Sequence, residues 1–447
     1  MPDDNWVLHW NETAINTSGL DHASATPEQF GPLRTSRALA ITQIAVADAL
    51  ASIYGSYQPF IFDGGSVPAA SAKAAAARAS YDCLSVLYPA QQRRLLAILE
   101  AELARLADGD AKASGLALGA ASARVVLDAR ANDGSELSLP TAPSSYLSSA
   151  EPGRWRPDPL NPEQQVLGAE WKRVVPFVVP TAAVFRAPPP PALTSQAYAD
   201  AFDDVKQFGG DGIITPTVRT PEQTHSALFW AYDGTPSLCA PARMYNQILA
   251  SIVREKNLPL DQIARLLAIA NVALADTGIV VWESKFFYDY WRPVTAIREA
   301  DPGSGPTGKG DGNPATAGDA GWTPLGSPAS NLSRADFTPP FPSYPSGHAG
   351  FGGATFQTLR NYFGTDDVPF TFVSDEFNGT TRDSAGRIRP HWPRSFASLS
   401  AAEQENAQSR IYLGVHFSFD KQPAIEQGNQ VANHVMSRIY RARSAAA

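Results

Sequence analysis

Lys285 with Arg292, Ser346 and Gly347 with His348, and Arg410 with His416 and Asp420 fall in three short stretches of one half of the chain. They read Lys285-x6-Arg292-Pro293, Pro345-Ser346-Gly347-His348 and Ser409-Arg410-x5-His416-x3-Asp420. Gathered together, these side chains suit a single small tetrahedral oxyanion. Arginine keeps its proton and presents a planar fork of donors, and lysine adds a compact charge. Histidine brings a lone pair for bonding and a proton that moves near neutral pH. Asp420 can take a hydrogen bond from His416 Nδ1, leaving Nε2 free as a ligand or nucleophile.

Each stretch also has a bland reading. Ser346 and Gly347 would cap a helix, Arg410 would be a surface charge, and His416 would be a core histidine. Lys285 and Arg292 would line a solvated helical face. Yet aromatic residues separate those two cations (Phe286, Phe287, Tyr288, Tyr290 and Trp291), where a solvated face would carry polar ones. The three stretches in this order favour the oxyanion.

Elements must bring the stretches together. Lys285 and Arg292 lie seven apart, two helical turns, and are expected to share one helix face. Prolines fix the chain ahead of Ser346, and Gly347 lets the backbone approach a ligand closely. The first amides of a helix starting near His348 are unpaired donors at the positive end of its dipole. Arg410 would reach in from the last turns of a helix ending near Gly414, with His416 just beyond.

Apolar periodicity predicts helices over 35–54, 69–87, 91–107 and 111–130, then 195–208, 221–232, 243–255 and 260–282, then 348–363, 400–414 and 424–443. Ser400-Ala401-Ala402-Glu403 has capping-box spacing. Residues before 35 read as irregular, so His9 and His22 are assigned to surface or packing. His391 and His434 read as structural. His225 is a weaker candidate to support the site from near Asp233, and Lys421 reads as a solvated charge. Residues 132–191 form a proline-rich connector, with Arg154-Trp155-Arg156-Pro157 as a structural anchor. A second loop spans 301–340. No long alternation of period two occurs, so any sheet is a minor hairpin. The expectation is an all-α protein of two packed helical bundles joined by long Pro/Gly-rich loops. Residues 1–190 hold the first bundle and connector, and 191–447 the second bundle with the site, as one compact unit.

The 447 residues are 44% hydrophobic and 18% charged, ordinary for a globular chain. A net charge of -8 argues against nucleic acid as a partner, because that footprint is basic. Cys83 and Cys239 are too few for a disulfide framework and lack metal-ligand spacing. No run of 18 apolar residues predicts a membrane span. Met1-Pro2-Asp3-Asp4 lacks the basic and apolar regions of a signal peptide, which makes the cytoplasm the default and leaves the compartment open. Alanine-rich helices suggest self-association as a homodimer or larger assembly.

The three stretches resemble the tripartite signature of the vanadium-dependent haloperoxidase and type 2 phosphatidic acid phosphatase superfamily, over roughly Trp282 to Asp420. The helical first half also resembles the large soluble haloperoxidases. That resemblance implies vanadate as cofactor, with phosphate an alternative occupant. His416 Nε2 would be the axial vanadium ligand. Lys285, Arg292, Arg410, Ser346 and the Gly347 amide would hold the equatorial oxygens, and His348 would face the apical oxygen and take a proton. Hydrogen peroxide, halide and a small organic acceptor would be the reactants. Trp282 and Phe341 resemble the aromatic halide pocket of the chloroperoxidase-like kind, where an indole N–H and ring edges offer weak positive poles. Asp233, in Tyr232-Asp233-Gly234, resembles the carboxylate that pairs with an active-site arginine. The alternative within the superfamily is an acid phosphatase, in which His416 attacks phosphorus and His348 protonates the leaving group.

Overall fold

The computed structural model describes residues 5–138, 145–233, 238–326, 338–383 and 386–443. Its helices are α1 (Trp6–His22), α2 (Gly31–Tyr54), α3 (Ala72–Leu87), α4 (Gln92–Leu103), α5 (Asp110–Ala129), α6 (Gln196–Phe208) and α7 (Pro221–Phe229). They continue with α8 (Pro241–Lys256), α9 (Leu260–Tyr288), α10 (Pro293–Arg298), α11 (Gly347–Phe363), α12 (Leu399–Tyr412) and α13 (Lys421–Met436). Two short antiparallel strands, β1 (Phe370–Phe372) and β2 (Arg394–Phe396), pair with Phe370 opposite Phe396. The fold is mostly helical, as the periodicity predicts.

α9 is the axis. Its residues from Ile263 to Lys285 are almost all buried, so apolar side chains run all round it rather than along one stripe. α2, from the first half of the chain, and α11 and α13, from the second, all pack on it. α2 and α9 are both long and apolar enough to cross a membrane by length and composition, and 94% of each apolar window is buried inside the protein. One apolar core runs from Trp6 to Tyr440, so both halves of the chain contribute to it.

Close helix approaches are cut by glycine. A Cβ at Gly428 of α13 would stand 2.1 Å from the Gly350 carbonyl oxygen of α11 and 2.6 Å from the Ala354 nitrogen. Backbone cannot yield there, so α11 and α13 meet only because this position is glycine.

The connector is pinned onto α9. Asp276, at the middle of α9, accepts the backbone N–H groups of Phe177, Val178 and Val179 at 2.6, 2.8 and 3.0 Å. Trp155 is buried, and its N–H donates to the Asp289 carbonyl at 2.9 Å. Arg154 donates to the Tyr288 carbonyl at 3.1 Å. The expected anchor is therefore built on the end of α9.

Several expectations need correction. α1 is a regular helix where the sequence suggested an irregular start. Thirteen of its residues are buried on several sides, which erases the periodic stripe. Within it His22 donates from Nδ1 to the Ser18 carbonyl at 2.8 Å, and its Nε2 accepts the Gly31 N–H at 2.9 Å. Lys285 and Arg292 do not share a helix face. Asp289 adopts the left-handed conformation (φ 55°) and ends α9, so Lys285 sits in its last turn while Arg292 is the N-cap of α10. α12 is capped by Ser398, whose side chain accepts the Ala401 N–H at 3.2 Å, rather than by Ser400, whose hydroxyl bonds Asp366. Gly234 and residues 327–337 of the second loop lie outside the described residues.

Candidate active site

Four helix ends converge. The last turn of α9 brings Lys285, the cap of α10 brings Arg292, the start of α11 brings Ser346, Gly347 and His348, and the end of α12 brings Arg410. Gly414, with φ +76°, turns the chain after α12 and delivers His416. Lys285, Arg292, Arg410, His348 and His416 are all at most 5% exposed.

Each cation is partly spent on the scaffold. Lys285 Nζ donates to the carbonyls of Pro342 and Ser343, both at 2.8 Å. Arg292 Nε donates to the Phe341 carbonyl at 2.9 Å, and Nη1 to the Val415 carbonyl at 2.8 Å. Nη1 also lies 3.1 Å from His416 Nε2. Arg410 Nη2 reaches both carboxylate oxygens of Asp233 at 2.9 Å. What is left over is informative. Arg292 Nη2, Arg410 Nε and Arg410 Nη1 are buried with no hydrogen-bond partner among the described residues. Each unmade bond of a buried polar group costs about 1–3 kcal/mol, more when charged. Crowding follows the same pattern: burial first, then the field of Arg292, holds Lys285 well below its ordinary range. Burial brings Arg292 down to about 9. A tetrahedral oxyanion would supply acceptors to all three nitrogens and neutralise the repulsion, so these residues fit such a group.

His416 has a fixed tautomer. Its Nδ1 donates to Asp420 Oδ2 at 2.6 Å, so the lone pair is on Nε2, facing Arg292. Asp420 Oδ2 also accepts from the Ser343 hydroxyl and from the Phe417 N–H at 3.2 Å. Burial and then Arg292 hold His416 well below the usual histidine range. Burial pushes the Asp420 carboxyl up to about 6 against the pull of Ser343 and Lys285. At neutral pH the pair is a carboxylate beside a neutral imidazole.

His348 is fixed the other way round. Its Nε2 lies 3.1 Å from the Trp230 carbonyl, which can only accept, so Nε2 carries the proton and Nδ1 the lone pair. Nδ1 is 3.6 Å from Asp233 Oδ1. Burial and then Arg410 push this histidine down to about 3, which leaves it neutral. Its own carbonyl is gripped by Tyr245 Oη at 2.8 Å and Asn406 Nδ2 at 3.0 Å.

Ser346 is the N-cap of α11, as its bland reading has it, with its Oγ 3.5 Å from the Ala349 nitrogen. Accepting that contact leaves its own proton to donate. A Cβ on Gly347 would stand 3.2 Å from two ring carbons of Trp282, so a side chain there would crowd the cradle. Trp282 and Phe341 pack with ring centroids 4.7 Å apart. Phe341 lies 5.1 Å from Lys285 Nζ and 5.0 Å from the Arg292 guanidinium. The Trp282 indole N–H donates to the Leu167 carbonyl at 3.3 Å, so it does not offer the pole that the sequence suggested.

Other histidines stand apart. His225 stacks on Trp392 at 3.8 Å and takes a bond from Arg394 at 2.9 Å. Lys421 bonds Gln408 instead of joining the cradle. Ser343 and the Trp230 carbonyl were not foreseen; a main-chain oxygen leaves no mark in a sequence, and a serine in a Pro-Ser-Tyr-Pro loop reads as a turn.

Residues 2–167 match the family model described as the vanadium chloroperoxidase N-terminal domain, and residues 265–444 match that of the VCPO second helical-bundle domain. The vanadium chloroperoxidase of Curvularia inaequalis is 38% identical over 269 residues, which are 52% of this chain and 42% of that protein. The chain thus matches less than half the length of this relative. A bacterial vanadium-dependent iodoperoxidase has the same fold, with a TM-score of 0.74 and 23% identity over 99% of both chains. So does a holo bacterial vanadium-dependent chloroperoxidase, with a TM-score of 0.68 and 18% identity over 95% of this chain and 96% of the other.

Proposed function

Because the chain belongs to the vanadium-dependent haloperoxidase family, we propose that it uses hydrogen peroxide to oxidise halide to hypohalous acid, which halogenates small organic acceptors. The observation that carries this reading is the set of three buried guanidinium nitrogens of Arg292 and Arg410 that have no partner among the described residues, with Arg292 also against the His416 lone pair. Vanadate is the group these residues would hold. His416 Nε2 would bond it, with Lys285, Arg292, Arg410, the Ser346 hydroxyl and the Gly347 amide holding its oxygens. When bound, vanadate supplies a Lewis-acidic centre that activates peroxide towards halide.

The residues do the rest. His348 Nδ1 accepts a proton from incoming hydrogen peroxide, and Asp233, 3.6 Å away, stabilises the imidazolium that results. Arg410 stays oriented because both carboxylate oxygens of Asp233 hold its Nη2. Lys285 and the arginines stand ready for negative charge as it develops, with no reorganisation at the moment of reaction. Asp420 and Ser343 hold the His416 ring so that its lone pair faces the cradle. Phe341 and the Trp282 ring exclude water and give halide a weakly positive edge. The sum is hydrogen peroxide plus halide plus one proton giving hypohalous acid plus water.

The deciding experiment compares halide-dependent dye oxidation with p-nitrophenyl phosphate hydrolysis, each with and without added orthovanadate. Chloride, bromide and iodide are assayed separately. Vanadate-dependent halide oxidation that vanishes in His416→Ala is expected. Efficient phosphate hydrolysis with no halide oxidation at any vanadate level would assign the cradle to phosphoryl transfer instead.

A further inference from the structure

The His348 ring depends on a backbone atom, and that atom is held from outside the cradle. Trp230 follows α7 in a tight turn in which its carbonyl accepts the Tyr232 N–H at 2.9 Å and His348 Nε2 at 3.1 Å. Its side chain is fully buried. There the indole N–H donates to Glu405 Oε1 at 3.0 Å. Glu405 is clamped in turn by Arg394, whose Nε and Nη2 reach its two oxygens at 2.7 Å each. Arg394 also bonds Glu222 at 2.7 Å and His225 at 2.9 Å. A second tie holds the preceding residue, where the Ser374 hydroxyl donates to the Phe229 carbonyl at 2.7 Å.

We propose that Glu405, acting through the Trp230 indole, is a positioning residue that fixes His348 in the Nε2–H form and so makes Nδ1 its basic nitrogen. The indole, anchored to a bidentate carboxylate–guanidinium pair, holds the Trp230 Cα from which this carbonyl projects, and the Ser374 tie holds the peptide before it. Neither Glu405 nor Trp230 touches the oxyanion cradle through a side chain. The inference rests on the reading of His348 as the proton acceptor, but its direct readout does not require turnover.

Nitrogen-15 NMR of the imidazoles distinguishes the two neutral tautomers, and His348→Gln identifies the signal. In the unmodified protein without vanadate His348 is expected as a single Nε2–H tautomer. In Trp230→Phe, which removes the indole N–H, and in Arg394→Ala, which frees Glu405, a mixture of both tautomers is expected. Halide oxidation by the vanadate-loaded variants should then show kcat lowered by about two- to tenfold with little change in the KM for peroxide. That is well short of the roughly 10²–10⁴ expected for losing the group outright. Arg394 is only half-buried, so its variant carries the test if Trp230→Phe does not fold. A single unchanged tautomer in a folded variant overturns the proposal, as does a fall in kcat without a tautomer change. If the mixture appears while the unmodified protein oxidises no halide, the latch stands and the haloperoxidase reading fails.

Discussion

Arg292 Nη1 stands 3.1 Å from His416 Nε2, so the lone pair that would bond the oxyanion is already engaged by a guanidinium. Binding an oxyanion through that nitrogen therefore exchanges partners: His416 gives up Arg292, and Arg292 turns to an anion oxygen. The exchange is possible because Asp420 on Nδ1 holds the ring while Nε2 changes hands.

Removing that hold should weaken the exchange. Asp420→Ala takes the partner from His416 Nδ1 and frees both tautomers and ring orientations. Vanadate affinity, measured by isothermal titration, is expected to fall about 10–100-fold. Affinity within twofold of the parent would remove Asp420 from this role.

His348 gives a pH signature. Held at about 3 against an ordinary 6.5, it stays unprotonated in the folded chain while the unfolded chain binds a proton. Stability therefore falls as pH drops from 6.5 towards 3, and this group adds nothing above its ordinary value. A dianion beside the ring raises its pKa and recovers part of that loss. Sulfate keeps its charge in this range, so it should raise Tm more near about pH 5 than near about pH 7.5. Asp420, held up at about 6, acts in the opposite sense and loses stability as pH rises from its ordinary 3.8. That contribution persists in His348→Gln, so scanning fluorimetry of the variant isolates the histidine. Equal sulfate shifts at both pH values in the parent and the variant would sink the assignment.

The Arg410–Asp233 pair is buried, so breaking it should cost more than a surface pair. Arg410→Met leaves the Asp233 carboxylate without its two guanidinium bonds, and a loss of about 3 kcal/mol is expected in urea unfolding. Adding Asp233→Asn in the same chain should recover more than half of it. An undiminished loss in the double variant would show that packing, not charge, dominates.

A residue outside the cradle should also be felt there. Gly428→Ala drives a methyl into the α11 backbone, with an expected cost of about 3 kcal/mol. Because α11 carries Ser346, Gly347 and His348 at its start, sulfate affinity should fall as well. A fall in Tm with unchanged sulfate titration would limit the effect to packing.

Much of this was legible beforehand. The cations and histidines stood out because buried charge has few structural uses, and the helices because their apolar residues recur at helical spacing. α1 escaped because a helix buried on several sides carries no stripe. The shared face of Lys285 and Arg292 failed because one residue, Asp289, left the helical conformation. Trp282 was read from its N–H, although Leu167, over a hundred residues earlier, had claimed it. What stayed hidden was relational: the Trp230 carbonyl and the Ser343 hydroxyl matter only through the rings they meet.

α9 joins regions that a gene map would separate. Leu33 of α2 lies at the spot where a Cβ on Gly278 or on Gly168 would strike it, and Trp282 is wedged beside the same Gly168. Every residue proposed to hold vanadate comes after position 280, yet Leu33, Leu167 and Gly168, all from the first half, stand against α9 behind them. A fragment cut before Gln196 would keep the whole set of charged ligands and lose what keeps Trp282 upright. In this protein, chemistry and support cannot be severed.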